Sequence, residues 1–203
     1  MPQDESPRNE SSADESFEGE SNVSIDDKGR FGIPSRYRNL LAERSEGQVV
    51  ITLAFTPVTA LTLETEPFKR YRGLSIFPLP TWRNFRSNLE RRERFDPVRA
   101  TFSVFVASAL TCDIDSQGRI LVPPALRGFL NRKSPAGKKP PEDGEQDHNR
   151  LKLVGVTERF ELWREEVWEA VREEMLAAAA QRLQDDRDAR RADPNAKTYD
   201  LPL

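Results

Sequence analysis

Apolar positions along the 203-residue chain fall first into short alternating runs separated by turn chemistry, and take helical spacing mainly in its later part. Val23-Ser24-Ile25 and Cys112-Asp113-Ile114 alternate as half-buried strands do, and each leads into a D-x-x-G segment, Asp26 to Gly29 and Asp115 to Gly118. In such a segment the Asp side chain caps its own backbone and the Gly supplies the positive φ that closes the turn. Phe31-Gly32-Ile33 and Ile120-Leu121-Val122 then resume as strands. Pro34 and Pro123 each open a short helix, predicted over Ser35 to Ala42 and Pro124 to Leu130, because proline is tolerated in a first turn. Further β-rich runs follow: Val49 to Leu53 and Leu74 to Phe77, then Leu151 to Val156 and Phe160 to Trp163. Helical spacing appears at Trp82, Phe85 and Leu89 within Pro80 to Arg94, and at Val167, Val171, Met175 and Leu176 between Glu165 and Arg191.

These elements are two copies of one unit. Residues 25–34 and 114–123 both read I-D-x-x-G-R-x-x-[IV]-P, and Arg38 and Arg127 each stand four residues past the Pro. Each copy closes with an aromatic pair of equal spacing, Phe77 with Trp82 and Trp163 with Trp168, so that Asp to last Trp spans 56 residues in one copy and 53 in the other. Each copy reads ββαββ and is too small to bury a good core alone. The expected fold class is α+β: two units whose strands interleave as an intrachain pseudo-dimer, with connecting and C-terminal helices.

Composition removes several functions. No apolar run approaches the roughly 18 residues that cross a bilayer, and Met1 to Glu5 has neither the basic nor the apolar region of a secretory signal. One cysteine, Cys112, and one histidine, His148, supply neither a disulfide framework nor the usual zinc sites, so a cytoplasmic compartment is expected and no metal or cofactor. The net charge of −3 conceals an uneven distribution, because residues 1–22 hold seven acids against Arg8 alone and leave the rest of the chain at +3. Residues 1–16 are too polar to offset the entropy of ordering and are expected to be disordered, either for solubility or as an acidic strand competing for the basic body.

The two D-x-x-G-R-x-x-[IV]-P motifs, with Arg four residues past the Pro, resemble the AbrB/SpoVT swapped-hairpin DNA-binding family, and two copies in tandem narrow the resemblance to the MraZ family. Phe77-Pro78-Leu79-Pro80-Thr81-Trp82, Phe160-Glu161-Leu162-Trp163 with Trp168, and Phe17-x-Gly19 add to it, over about Phe17 to Leu183. The departures are the acidic extension, Glu18 between Phe17 and Gly19, and two enlarged loops near 54–73 and 131–150. The resemblance implies a nucleoid-associated transcription factor whose chains form rings on direct repeats of promoter DNA, upstream of the division and cell-wall gene cluster. It implies swapped-hairpin domains at 17–81 and 107–167, a helical linker at 82–106 and a C-terminal helix and tail at 168–203. Double-stranded DNA and further copies of the chain are the expected partners; no membrane and no small-molecule substrate are expected.

Under that resemblance the candidate DNA-binding residues are Lys28, Arg30, Arg36, Arg38, Arg119 and Arg127, because cations match phosphates and Arg reads guanine edges. Asp26, Gly29, Asp115 and Gly118 are expected to shape the loops. The alternative for Arg30 and Arg119 is that each pairs with its own turn's Asp and merely fixes the turn. Lys28 and Arg36 face Gln117 and Ala125 in the other copy, which makes copy one the stronger candidate. Arg83, Arg86, Arg91, Arg92, Arg94 and Arg99 are interspersed with Glu90, Glu93 and Asp96 and read as a solvated surface rather than a phosphate-binding face. Trp82, Trp163 and Trp168 read as core or subunit-contact residues rather than base stackers, and Cys112 as a small buried hydrophobe. An enzyme built on Asp26 and Asp115 is the weakest reading, since no His, Lys or Cys gathers with them. An oligomeric scaffold without DNA binding is the main rival, favoured by the acidic tail, Glu18 and the net charge.

Overall fold

The computed structural model describes residues 16–54, 73–93, 96–130 and 150–192. In chain order the elements are β1 (Phe17–Ser24), β2 (Arg30–Gly32), α1 (Ser35–Ser45), β3 (Gln48–Leu53), β4 (Leu74–Pro78), α2 (Leu79–Glu90), α3 (Pro97–Ala107), β5 (Leu110–Asp113), β6 (Arg119–Leu121), α4 (Pro124–Leu130), β7 (Arg150–Thr157), β8 (Arg159–Arg164) and α5 (Glu165–Ala192). The expected disorder of 1–16 and the two enlarged loops fall, save for a few edge residues, outside the described residues.

The α+β expectation holds: six antiparallel strands form one sheet in the order β1-β7-β8-β4-β3-β5, and β2 and β6 form a separate two-stranded ribbon. Both sheets draw strands from both copies. β1 of copy one lies along β7 of copy two from Phe17↔Thr157 to Ser24↔Arg150, and β5 of copy two lies along β3 of copy one. In the ribbon, Arg30 faces Leu121, Phe31 faces Ile120 and Gly32 faces Arg119. Isolated bridges from Ile25 to Phe31 and from Ile114 to Ile120 close the two turns onto it.

The principal core lies between sheet, ribbon, α1 and α4, and includes Phe17, Phe31, Ile33, Tyr37, Leu41, Ile51, Ile76, Ile120, Val122, Leu126 and Phe160. Phe17 opens β1 and is fully buried, with ring centroids 4.2 Å from Phe160 and 6.2 Å from Tyr37. The Tyr37 hydroxyl donates to the Glu18 carbonyl, and the Arg36 guanidinium donates to the Glu20 carbonyl and to Ser21 Oγ, both at 2.8 Å. Side chains of α1 thus strap the polar edge strand β1 to the body. A second cluster places Trp163 and Trp168 with Val154, Val167 and Val171 beneath the first turns of α5, and a third places Phe77 and Trp82 beneath α2. The three tryptophans are buried, as the core reading expects. Glu161, only 2% exposed, accepts from Arg159 (3.0 Å) and from Trp163 Nε1 (3.2 Å), while burial pushes its carboxyl above the usual range.

Three boundaries differ from the pattern-based expectation. Helix α1 runs to Ser45 instead of Ala42 and stops where Glu46 takes a left-handed φ of 54°. Helix α2 stops at Glu90 instead of Arg94, and α3 follows as a separate helix docked on β3 by the Thr52 hydroxyl, which donates to the Phe105 carbonyl at 2.6 Å. β1 starts at Phe17, well before Val23, because an edge strand with one solvated face needs no continuous apolar alternation. Cys112 packs half-buried against the main core, and burial pushes its thiol up to about 11.

Candidate nucleic-acid interface

The two D-x-x-G turns have the same internal chemistry. In the first, Asp26 Oδ1 accepts the backbone N–H groups of Lys28 (3.0 Å) and Arg30 (2.8 Å), while Oδ2 accepts Arg30 Nε at 2.8 Å and pairs with Nη2 at 2.7 Å. In the second, Asp115 Oδ1 accepts the N–H groups of Gln117 and Arg119 at 2.9 Å each, and Oδ2 accepts Arg119 Nε at 2.7 Å. The glycines close the loops at φ +84° for Gly29 and +69° for Gly118, a region where an L side chain is strained. The Arg30 guanidinium and then its backbone N–H hold the Asp26 carboxyl down at about 2. The Arg119 backbone N–H, followed by its side chain, lowers Asp115 in the same direction. Each Asp therefore both caps a turn and orients the Arg that leaves it.

What this orientation accomplishes follows from the ribbon register. Residues opposite each other in an antiparallel pair share a face, and faces alternate along each strand. Phe31 and Ile120 point into the core at 1% and 0% exposure. Arg30, Leu121, Gly32 and Arg119 consequently occupy the outer face together. Arg30 and Arg119 are about 30% exposed at the side chain and stand diagonally across the ribbon, and Leu121, opposite Arg30, is 45% exposed. Leu121 is the residue that motif reading overlooked; its signal was the alternation of Arg119, Ile120, Leu121 and Val122 across the strand. Lys28 is exposed at the tip of the first turn, where the second turn carries Gln117.

The remaining candidates make hydrogen bonds within the chain. Arg36 is committed to β1 and lies with its Cζ 4.5 Å from the Tyr37 ring centroid. Arg38 Nε donates to the Ile33 carbonyl at 2.9 Å, and Arg127 Nε donates to the Val122 carbonyl at 2.8 Å. Both guanidiniums reach the turn of the opposite copy: Arg38 lies against Gly118, and Arg127 covers Gly29 and donates to the Lys28 carbonyl at 2.6 Å. On α2 and beyond, Arg83 pairs with Glu46 (2.9 Å), Arg86 with Glu90 (3.4 Å) and Arg92 with Asp96 (3.0 Å), the arrangement of a solvated, self-compensated surface. Among the described residues no His, Cys, Asp and Glu group could hold a metal ion, and no helix is long and apolar enough to cross a membrane.

Fold and site together define a tandem-repeat α+β protein that exposes two acid-oriented arginines on a ribbon shared by its two halves. Residues 105–191 match the family model described as "MraZ protein, putative antitoxin-like". The chain is 34% identical over 159 residues to the transcriptional regulator MraZ of Thioalkalivibrio sulfidiphilus, covering 78% of this chain and 86% of that protein. It is 30% identical to those of Shewanella frigidimarina, over 75% of the chain and 82% of the relative, and Pseudomonas aeruginosa, over 81% and 91%. The chain belongs to the MraZ family.

Proposed function

We propose that the chain is a sequence-specific DNA-binding transcriptional regulator. The observation that carries this reading is the placement of Arg30 and Arg119 on one outer face of a two-stranded ribbon whose inner face is core. A two-stranded ribbon is among the elements that a major groove admits, and Arg is the commonest reader of guanine there. Each guanidinium keeps N–H donors beyond those given to its Asp, since Arg carries five. Leu121, opposite Arg30 on the same face, offers the apolar contact that a thymine methyl group accepts. Lys28 adds a phosphate contact at the first turn only. Contacts to DNA thus fall to Lys28, Arg30, Arg119 and Leu121, with Asp26, Gly29, Asp115 and Gly118 holding the turns.

In this reading the two copies form swapped-hairpin units at 17–81 and 107–167, joined by 82–106 and followed by 168–203. Several chains assemble as a ring on direct repeats upstream of the division and cell-wall gene cluster, in association with the nucleoid. A few arginines bind weakly alone; linking many copies makes later contacts intramolecular, at effective concentrations around millimolar for short connections.

The test is a gel-shift of the full chain on the duplex upstream of its own coding sequence, against scrambled competitor, at two salt concentrations. Wild type is expected to bind specifically and to weaken steeply with salt. Arg30→Ala is expected to lose roughly 5–150-fold, the range of one bidentate Arg–guanine contact, and Arg119→Ala less, because only the first turn carries Lys28. Equal losses would remove the asymmetry. A folded, assembled wild type without specific binding would replace this reading with the scaffold one.

A further inference from the structure

We infer that Arg38 and Arg127 are positioning residues, each setting the turn of the opposite copy, so that the two turns present Arg30 and Arg119 as one unit. The inference rests on the DNA-binding reading above, and concerns residues that by sequence alone pass as further DNA contacts.

Arg127 leaves α4 of copy two and ends on the first turn, ninety-nine residues earlier in the chain. Its Nε donates to the Val122 carbonyl at 2.8 Å and its Nη2 to the Lys28 carbonyl at 2.6 Å. The guanidinium fills the space over Gly29 that a Cβ would occupy. Beside it, the Val122 N–H donates to the Gly29 carbonyl at 2.9 Å. The carbonyls of Lys28 and Gly29, the last two residues before Arg30, are therefore both fixed by copy two.

The reciprocal arrangement holds the second turn more loosely. The Ile33 N–H donates to the Gly118 carbonyl at 2.9 Å, and Arg38 lies against Gly118, where a Cβ would stand 3.3 Å from its Nε. Among the described residues, however, the only hydrogen bond of Arg38 goes to the Ile33 carbonyl, and the Gln117 carbonyl receives none from it. The tighter clamp thus sits on the turn that carries Lys28. The Val122 and Lys28 carbonyls are met by separate nitrogens of one planar fork, Nε and Nη2; a lysine ammonium has three donors but on a single nitrogen with no fixed plane, and does not reproduce that spacing.

The experiment uses the full chain with Arg127→Ala, Arg127→Lys and Arg38→Ala. Amide hydrogen exchange is measured without DNA, and affinity for the upstream duplex is measured between 50 and 200 mM salt. Arg127→Ala is expected to speed exchange at the Gly29 and Arg30 amides and to lower specific affinity by roughly tenfold, the scale of one charge-assisted hydrogen bond. Arg127→Lys should lose as much, with the salt slope of wild type retained in both variants; Arg38→Ala should lose less. Should Arg127→Ala fail to fold, Arg127→Lys carries the test. A near-wild-type affinity for Arg127→Lys, with a slope for Arg127→Ala shallower by about 0.9, would make Arg127 a phosphate contact and overturn the inference. Unchanged exchange at Gly29 and Arg30 would also overturn it. Failure of wild type itself to bind specifically would refute the regulatory reading and this role with it, whereas normal binding by every variant refutes this role alone.

Discussion

Replacing Phe17 with alanine tests how the first strand is held. Phe17 is fully buried, and it is the end of β1 that reaches deepest between Tyr37 and Phe160. Truncating a buried Phe to Ala costs about 3–5 kcal/mol, from lost transfer free energy and from the cavity left behind. Two aromatic partners lose their contact at once, which places this site in the upper part of that range. β1 is an edge strand with one hydrogen-bonded neighbour, so the chain has a cheaper response than global unfolding: β1 can leave β7. The measured loss is then capped by the free energy with which β1 docks. The assay is urea unfolding followed by circular dichroism, with amide exchange along β7 as the second readout. A loss of 3–5 kcal/mol corresponds to a fall in Tm of roughly 6–20 °C for a chain of this size. Faster exchange confined to β7 with a smaller global loss indicates detachment. Glu20→Ala is the control, since Glu20 is exposed on the same strand and its 3.8 Å pair with Arg172 is a surface one, worth about 0–1 kcal/mol. A loss below about 1 kcal/mol for Phe17→Ala, with β7 exchange unchanged, refutes the assignment of Phe17 as the anchor.

Two further expectations concern titrating groups. The Asp26 carboxyl sits near 2 against an ordinary 3.8, so the folded state favours its ionised form; the support it gives the turn is complete above pH 4 and fades as pH falls through about 2. A carboxyl carbon-13 titration of Asp26 in the folded chain checks this, and a midpoint near 3.8 would show that Arg30 does not hold it in solution. The Cys112 thiol, raised from 9.0 to about 11 by burial, should react with iodoacetamide at pH 8 roughly tenfold more slowly in the folded than in the urea-unfolded chain, because the smaller thiolate fraction is partly offset by the greater nucleophilicity of the more basic thiolate. Equal rates in the two states would contradict its packing against the core.

Local chemistry was legible where one segment decides its own shape. The Asp and Gly positions of each turn, the proline-initiated helix at Pro124–Leu130 and the buried tryptophans follow from side-chain capping, fixed φ and apolar spacing. The polar half of β1 was not legible, because its order comes from β7 and from Tyr37 and Arg36, all distant in sequence. Strand partners were hidden for a related reason: two similar copies offer near-equivalent local patterns, and only the packed whole selects β7 for β1 and β3 for β5. For Arg30 and Arg119 the pairing with Asp26 and Asp115 that the sequence offered as the alternative is present, and it leaves both guanidiniums partly exposed. Arg36, Arg38 and Arg127 were indistinguishable from surface cations by sequence; what separates them is the carbonyl each one meets.

The pairing of β2 with β6 joins two turns that are alike but not identical, Lys28 and the fuller clamp on one side, Gln117 and the lighter one on the other. A dimer of two identical chains would present the same turn twice, and its two-fold axis would suit an inverted sequence on DNA. One chain carrying both turns has no such axis. On the DNA-binding reading it sits on the duplex with a heading, a front turn and a back turn, and successive molecules can follow one another along a strand all facing the same way.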